Sequence, residues 1–71
     1  MANKPTIKNK IRRLRFDHDE MTQQELADKA GVTRQTIVAL EAGKYNPSLL
    51  LAFSIAKVFG ETVDAVFEMG E

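Results

Sequence analysis

The sequence predicts an all-α domain built from five short helices, and three observations carry that expectation. Apolar residues recur at helical spacing in five separate stretches. Four of those stretches are preceded by Thr or Ser, and three are followed by Gly, where helices need their caps. Finally, the 71 residues include no cysteine, so neither a disulfide nor a thiolate metal site can hold the chain together. A chain this short buries only about 60% of its unfolded surface, so its stability must come from helix packing, shared with a second copy. The whole of 1–71 is expected to be one domain, with residues 1–5 as a loose tail.

The first helix is expected over 8–17, where Ile7, Ile11 and Leu14 fall at i, i+4, i+7 spacing and "DHDEM" ends the run. Thr22 caps a second helix at 23–30, and Glu25 three residues on completes a capping box. Met21 stands where a hydrophobic staple belongs, and Leu26, Ala27 and Ala30 face inward. Gly31 stops that helix, and Thr33 caps a third at 34–42 whose apolar positions are Ile37 and Leu40. In the loop "KYNPS", Pro47 holds Asn46 extended and Ser48 caps a fourth helix at 49–59. Gly60 ends that helix, and Thr62 caps a short fifth at 63–67. The ends "TIK" at 6–8 and "FEM" at 67–69 alternate weakly, as strands do.

Formal net charge is zero, yet the charges are segregated. Residues 1–15 hold Lys4, Lys8, Lys10, Arg12, Arg13 and Arg15 with no acid, whereas 16–30 hold Asp17, Asp19, Glu20, Glu25 and Asp28 against Lys29 alone. Such runs are commonly solvated faces, but a polarised molecule can turn its basic side to phosphates. There is no apolar run of membrane-spanning length, and the polar, basic start lacks the apolar core of a secretory signal; a cytoplasmic location is the expectation. His18 lies among Asp17, Asp19 and Glu20, but a second nitrogen ligand is lacking, so no metal is expected. With no nucleophile–base set and no glycine-rich phosphate loop, neither an enzyme nor a cofactor is expected.

The third helix has an unusual distribution. Thr33, Arg34 and Gln35 stand at its start, with the compact Val38 and Ala39 beyond. Long donors on a first turn followed by short side chains suit entry of a helix end into the DNA major groove. An Arg fork matches guanine, a Gln amide adenine, and Val a thymine methyl. The preceding helix would then cross the backbone with its N-terminal amides near Gln23 aimed at a phosphate, and the short connection would fix the angle between the two. Asn9 and Lys10, near the start of the first helix, are candidates for the backbone on the far side.

Gln23, Glu25-Leu26-Ala27, Gly31-Val32-Thr33, Arg34-Gln35-Thr36-Ile37, Glu41 and Gly43 together resemble the helix-turn-helix of the Cro/CI-type (XRE) repressors. "NPSLLLAFSIAKVFG" and "TVDAVF" are similar to that family's fourth and fifth helices, so the likeness spans about residues 7–69. It implies a five-helix lambda-repressor-like domain, extended in short stand-alone members by a small antiparallel sheet from the chain ends. It also implies base contacts by Thr33, Arg34, Gln35 and Val38, phosphate contacts by Gln23, Lys44, Tyr45 and Asn46, and an ion pair between Arg15 and Glu41. Two departures stand out. The loop before Met21 is one residue longer than is typical, without the usual Gly, and Ala39 occupies a position where some relatives carry a base-reading Gln.

Leu49, Leu51, Ala52, Ile55, Ala56 and Phe59 suffice for the fourth helix's inward stripe, which leaves Leu50, Phe53 and Val58 over. With Val63, Val66, Phe67 and Met69 they form more apolar surface than a soluble monomer leaves in water, which predicts a homodimer interface at Leu50, Val63, Val66, Phe67 and Met69. The expected function is therefore a homodimeric, sequence-specific regulator of transcription, a repressor on a near-palindromic operator in double-stranded DNA. No membrane or small-molecule partner is expected. Two rivals stay open: an antitoxin-like regulator that also grips a partner protein, and a protein-interaction module without DNA binding.

Overall fold

The computed structural model describes residues 6–70 and contains five helices and one small sheet. In chain order these are β1 (Thr6–Asn9), α1 (Ile11–Asp17), α2 (Gln23–Ala30), α3 (Arg34–Glu41), α4 (Leu49–Phe59), α5 (Val63–Val66) and β2 (Phe67–Gly70). The expectation of a loose segment at residues 1–5 lies outside the described residues, apart from which the expected five-helix fold with a two-stranded sheet is present.

The middle of the chain follows its caps. Thr22 accepts from the Glu25 N–H at 3.0 Å while the Glu25 carboxylate accepts from the Thr22 N–H at 2.8 Å, so two otherwise orphaned donors of α2 are satisfied reciprocally. The bond from the Thr22 N–H, with the Thr22 side chain beside it, favours the charged carboxylate and holds the Glu25 pKa below its ordinary value. Ser48 caps α4 in the same manner through the Leu51 N–H at 3.1 Å. Gly31 ends α2 in the left-handed region at φ 77°, which no β-carbon favours.

The ends depart from expectation. Ile7 does not begin a helix. It lies in β1, which pairs antiparallel with β2 in the register Thr6 to Gly70, Ile7 to Met69, Lys8 to Glu68 and Asn9 to Phe67. Helix α1 therefore starts three residues later than its apolar spacing suggests, and its first residue, Ile11, is fully buried. The Lys10 N–H donates to the Val66 carbonyl at 2.9 Å, which joins the start of α1 to the end of α5.

Ile11, Leu26, Ala27, Ile37, Leu40, Ile55 and Val66, drawn from all five helices, lie at the centre of the core. Leu51, Ala52, Ala56, Phe59 and Phe67 enclose them. Met21 packs on this cluster from the staple position. The longer loop before α2 is closed by two successive non-glycine residues in the left-handed region, Asp19 at φ 58° and Glu20 at φ 52°. His18 caps α1 with its Nδ1 2.9 Å from the Leu14 carbonyl and its ring edge-on to Phe59 at 5.2 Å. Among the described residues no helix is long and apolar enough to cross a membrane.

Candidate nucleic-acid interface

Helix α3 is presented by its own cap and by what lies beneath it. The Thr33 hydroxyl accepts from the Thr36 N–H at 3.3 Å and sits 3.1 Å from the Thr36 hydroxyl, which fixes the first turn. Ile37 and Leu40 are buried, so the opposite face must carry Arg34, Gln35 and Val38 into solvent; all three are exposed. Neither Arg34 nor Gln35 makes a side-chain hydrogen bond among the described residues. The connection from α2 is three residues long, and Val32 donates its N–H to the Ala27 carbonyl at 3.0 Å while packing on the core. That arrangement holds α3 at one angle to α2.

A second constraint comes from an ion pair. Arg15 Nε donates to Glu41 Oε2 at 2.7 Å and Arg15 Nη2 to Glu41 Oε1 at 3.0 Å, a two-pronged geometry. Arg15 Nη1 donates to the Met21 carbonyl at 2.8 Å, so one guanidinium ties α1, the turn before α2 and the end of α3. The side chains are only 16% and 10% exposed, so water screens the pair weakly. The bond to Glu41 holds the Arg15 pKa above its ordinary value despite some burial, and the guanidinium stays charged wherever the fold exists.

The other expected phosphate ligands are distributed around this frame. Lys44, Tyr45 and Asn46 are exposed in the loop that leaves α3, which begins with the Lys44 N–H bonded to the Ala39 carbonyl at 3.0 Å. Gln23 is half-buried at the first position of α2, its Nε2 a long 3.4 Å from Glu41 Oε1. Lys10 is exposed. Asn9 is half-buried: its Nδ2 donates to the Leu40 carbonyl at 2.8 Å and its Oδ1 accepts from the Ile11 N–H at 3.2 Å. These bonds join β1 to the end of α3 and to the first residue of α1, and leave the second N–H of the amide outside them.

The expected subunit surface also needs correcting. Val66 and Phe67 are buried within the protomer because β2 folds back onto β1 and carries them into the core. Leu50 is 78% exposed and Met69 is exposed, while Val63 is half-buried against the core. Leu49, assigned from its spacing to the inward stripe, is exposed as well, whereas Leu51 and Ala52 of the same turn are buried. Phe53 is exposed one turn further along.

One feature the sequence reading passed over is an open cleft of about 850 Å³ between α1 and the first turns of α2 and α3. Arg12, Phe16, Gln24 and Arg34 line it beside the Arg15–Glu41 pair, with Glu20 at its edge. A sequence cue for it exists. Of the three arginines of α1, Arg13 has Asp17 four residues on, bonded at 3.3 Å, and Arg15 has Glu41, whereas four residues beyond Arg12 stands Phe16.

Comparisons with known proteins agree with this geometry. The Helix-turn-helix family model matches residues 11–66. An uncharacterized HTH-type transcriptional regulator of Methanocaldococcus jannaschii is 54% identical over 61 residues, covering 86% of this chain and 91% of that one. An immunity repressor protein of Bacillus phage phi105 is 33% identical over 61 residues, which are 86% of this chain but 42% of the repressor. A crystal structure from Bacteroides fragilis, of a protein classed by inference as DNA-binding, superposes with a TM-score of 0.74 over 87% of this chain and 98% of its own, at 21% identity, a likeness of fold. The fold, the matched model and the relatives converge: the chain belongs to the XRE-type helix-turn-helix family of transcriptional regulators.

Proposed function

We propose that the chain is a homodimeric transcriptional repressor that sets α3 into the major groove at each half of a near-palindromic operator. The carrying observation is the exposed face of α3, on which Arg34 and Gln35 make no side-chain hydrogen bond among the described residues while Ile37 and Leu40 anchor the reverse side. On this reading Thr33, Arg34, Gln35 and Val38 meet bases, with Arg34 suited to guanine and Gln35 to adenine. Gln23, Lys44, Tyr45, Asn46 and Lys10 meet phosphates and set the register. Asn9 supports them from within the fold.

Repression is favoured by the likeness to the phage phi105 immunity repressor protein, and the mechanism would be occlusion of a promoter. Leu50, Met69 and the rim of Val63, extended by Leu49 and Phe53, supply the apolar surface for a second copy. Two recognition helices then lie about 34 Å apart, one turn of DNA. Doubling matters, because each bidentate base contact discriminates by only about 1–3 kcal/mol.

Selection of bound duplexes from a random pool tests the reading directly. The expected result is an inverted repeat with half-site centres about 10 base pairs apart. Recovery of no enriched sequence by protein that melts cooperatively would refute it. A monomer that acquires a partner protein in place of its twin would favour the antitoxin-like alternative for the same apolar surface.

A further inference from the structure

We propose that the cleft between α1 and the first turns of α2 and α3 seats the sugar–phosphate backbone of the DNA strand flanking the recognition helix, with Arg12 as its phosphate ligand and Phe16 against the deoxyribose. This inference rests on the reading of α3 as the groove-entering helix, and adds two residues that neither cap spacing nor helix periodicity brings forward.

Charge pairing singles out Arg12. On α1, Arg13 is held by Asp17 at 3.3 Å, and Arg15 is consumed by Glu41 and the Met21 carbonyl. Arg12 has neither a hydrogen bond nor an ion pair among the described residues, and it shares the cleft with Arg34, which is equally free. The Arg15–Glu41 pair cancels itself, so the two free guanidiniums face Glu20 alone. The balance is positive, and the ligand it suits is an anion. The cleft is open to solvent, which fits a strand lying across it better than an enclosed small molecule.

Phe16 is 66% exposed, one turn beyond Arg12 and in the same wall. An aromatic ring beside a free guanidinium offers apolar and polar contact together, as the sugar and phosphate of one nucleotide require; the Gln24 amide in the same lining is held by Asp28 at 2.9 Å. Position completes the case. Helix α3 has eight residues and is about 12 Å long, close to the width of the major groove. The loop beyond its far end carries Lys44, Tyr45 and Asn46, and Arg34 at its near end lines the cleft, whose other α3 residue is the paired Glu41. A helix so flanked has cationic groups for both strands that border the groove.

The test uses the full chain, a mixed-sequence duplex of 30 base pairs and the duplex recovered by selection. Binding is measured between 50 and 300 mM salt for the unaltered protein, Arg12→Ala, Arg12→Lys and Phe16→Ala. Arg12→Ala is expected to weaken binding to both duplexes by the same factor, roughly tenfold per protomer at low salt. It should also flatten the slope of log K against log salt by about 0.9 per protomer. Arg12→Lys should restore the slope, and Phe16→Ala should weaken both duplexes while leaving it intact. Thermal melting of each variant reports the fold, and both residues are exposed, so midpoints should stay near the parent's.

In a second arm, a neutral methylphosphonate is walked along the half-site. One position should weaken the parent and leave Arg12→Ala unaffected. If the parent binds DNA and Arg12→Ala keeps its slope, the cleft assignment fails and the reading of α3 survives. A parent that binds no duplex sinks the reading of α3 and this inference with it. Were Arg12→Ala and Phe16→Ala to bind DNA as the parent does but release a co-purifying protein, the cleft would belong to that protein and the inference would be overturned.

Discussion

Replacing Glu41 by Ala should unfold the frame that presents α3, and the size of the loss follows from the geometry. The substitution removes two charged hydrogen bonds of 2.7 and 3.0 Å and leaves a guanidinium that is 16% exposed, with the Met21 carbonyl as its remaining partner. Exposed pairs contribute about 0–1 kcal/mol, whereas breaking a fully buried pair costs about 3–5 kcal/mol, mostly because a charge is stranded. At this intermediate burial about 2–3 kcal/mol is expected, which in a domain of this size lowers the melting midpoint by about 10–20 °C. The assay is thermal and urea unfolding at one fixed protein concentration, since a dimer's midpoint depends on it. Glu41→Ala, Arg15→Ala and the double variant form a cycle, for which a coupling of about 1.5–2 kcal/mol is expected. The apolar pair Arg15→Met with Glu41→Leu should recover most of the lost stability, because no charge is then stranded. A Glu41→Ala protein within about 0.5 kcal/mol of the parent, or a coupling below that, would show that the tie between α1 and α3 contributes no more than a surface contact. Base preference should be unchanged in whatever fraction stays folded; altered preference at full stability would assign Glu41 to the DNA instead.

Arg34→Ala should cost about 1–3 kcal/mol per half-site on the selected operator and relax one base position, while Lys44→Ala should weaken selected and random duplexes alike and lower the salt slope by about 1 per protomer. Equal losses for the two variants on both duplexes would erase the division between base and phosphate residues. Glu20→Gly should stabilise the fold by about 0.5–1 kcal/mol, because Glu20 sits at φ 52° where a side chain is strained; a lowered midpoint in thermal melting would contradict this. The Glu25 pKa is depressed in the folded state, so its stabilisation is complete above its unfolded value and disappears as pH falls through the folded one. Glu25→Gln, which resembles the protonated form, should therefore lower stability at neutral pH, converge on the parent at the acid end and flatten the curve between, as unfolding across pH 2–7 would reveal. Leu50→Asp should turn the proposed dimer into a folded monomer in sedimentation; a dimer that persists would move the subunit contact away from the start of α4.

How far the fold was legible depended on the range of the interactions that make it. Helices α2 and α4 begin and end where the sequence placed them because Thr22, Glu25, Gly31, Ser48 and Gly60 act on neighbours three to five residues away. The start of α1 was misplaced because Ile7 matches the helical spacing of Ile11 and Leu14 while its partner is Met69, more than sixty residues on. No local pattern reports such a pairing. The same pairing explains Val66 and Phe67, which are surplus apolar residues only if the chain ends stay apart. Asn9 is the subtler case: a polar residue beside Lys10 suggests a phosphate ligand, and only the approach of β1 to the end of α3 shows that its amide also bonds the Leu40 carbonyl.

The burial of Val66 and Phe67 moves the proposed subunit contact in one direction. With Val66 and Phe67 withdrawn into the core, the exposed apolar residues of α4 and β2 are Leu49, Leu50 and Phe53 at the start of α4, and Met69 on β2. The loop carrying Lys44, Tyr45 and Asn46 runs directly into that turn through Pro47 and Ser48. A second copy seated there would be joined to the phosphate-facing loop by two residues of chain, one of them a proline with a restricted backbone. Dimer geometry and backbone contact would then be set by one rigid corner, and an error in either would shift both half-sites together. A change at Leu50 should consequently reduce affinity for the paired half-sites far more than for a single one, with the preference at each base kept, because Arg34 and Gln35 belong to a helix whose buried face the change does not touch.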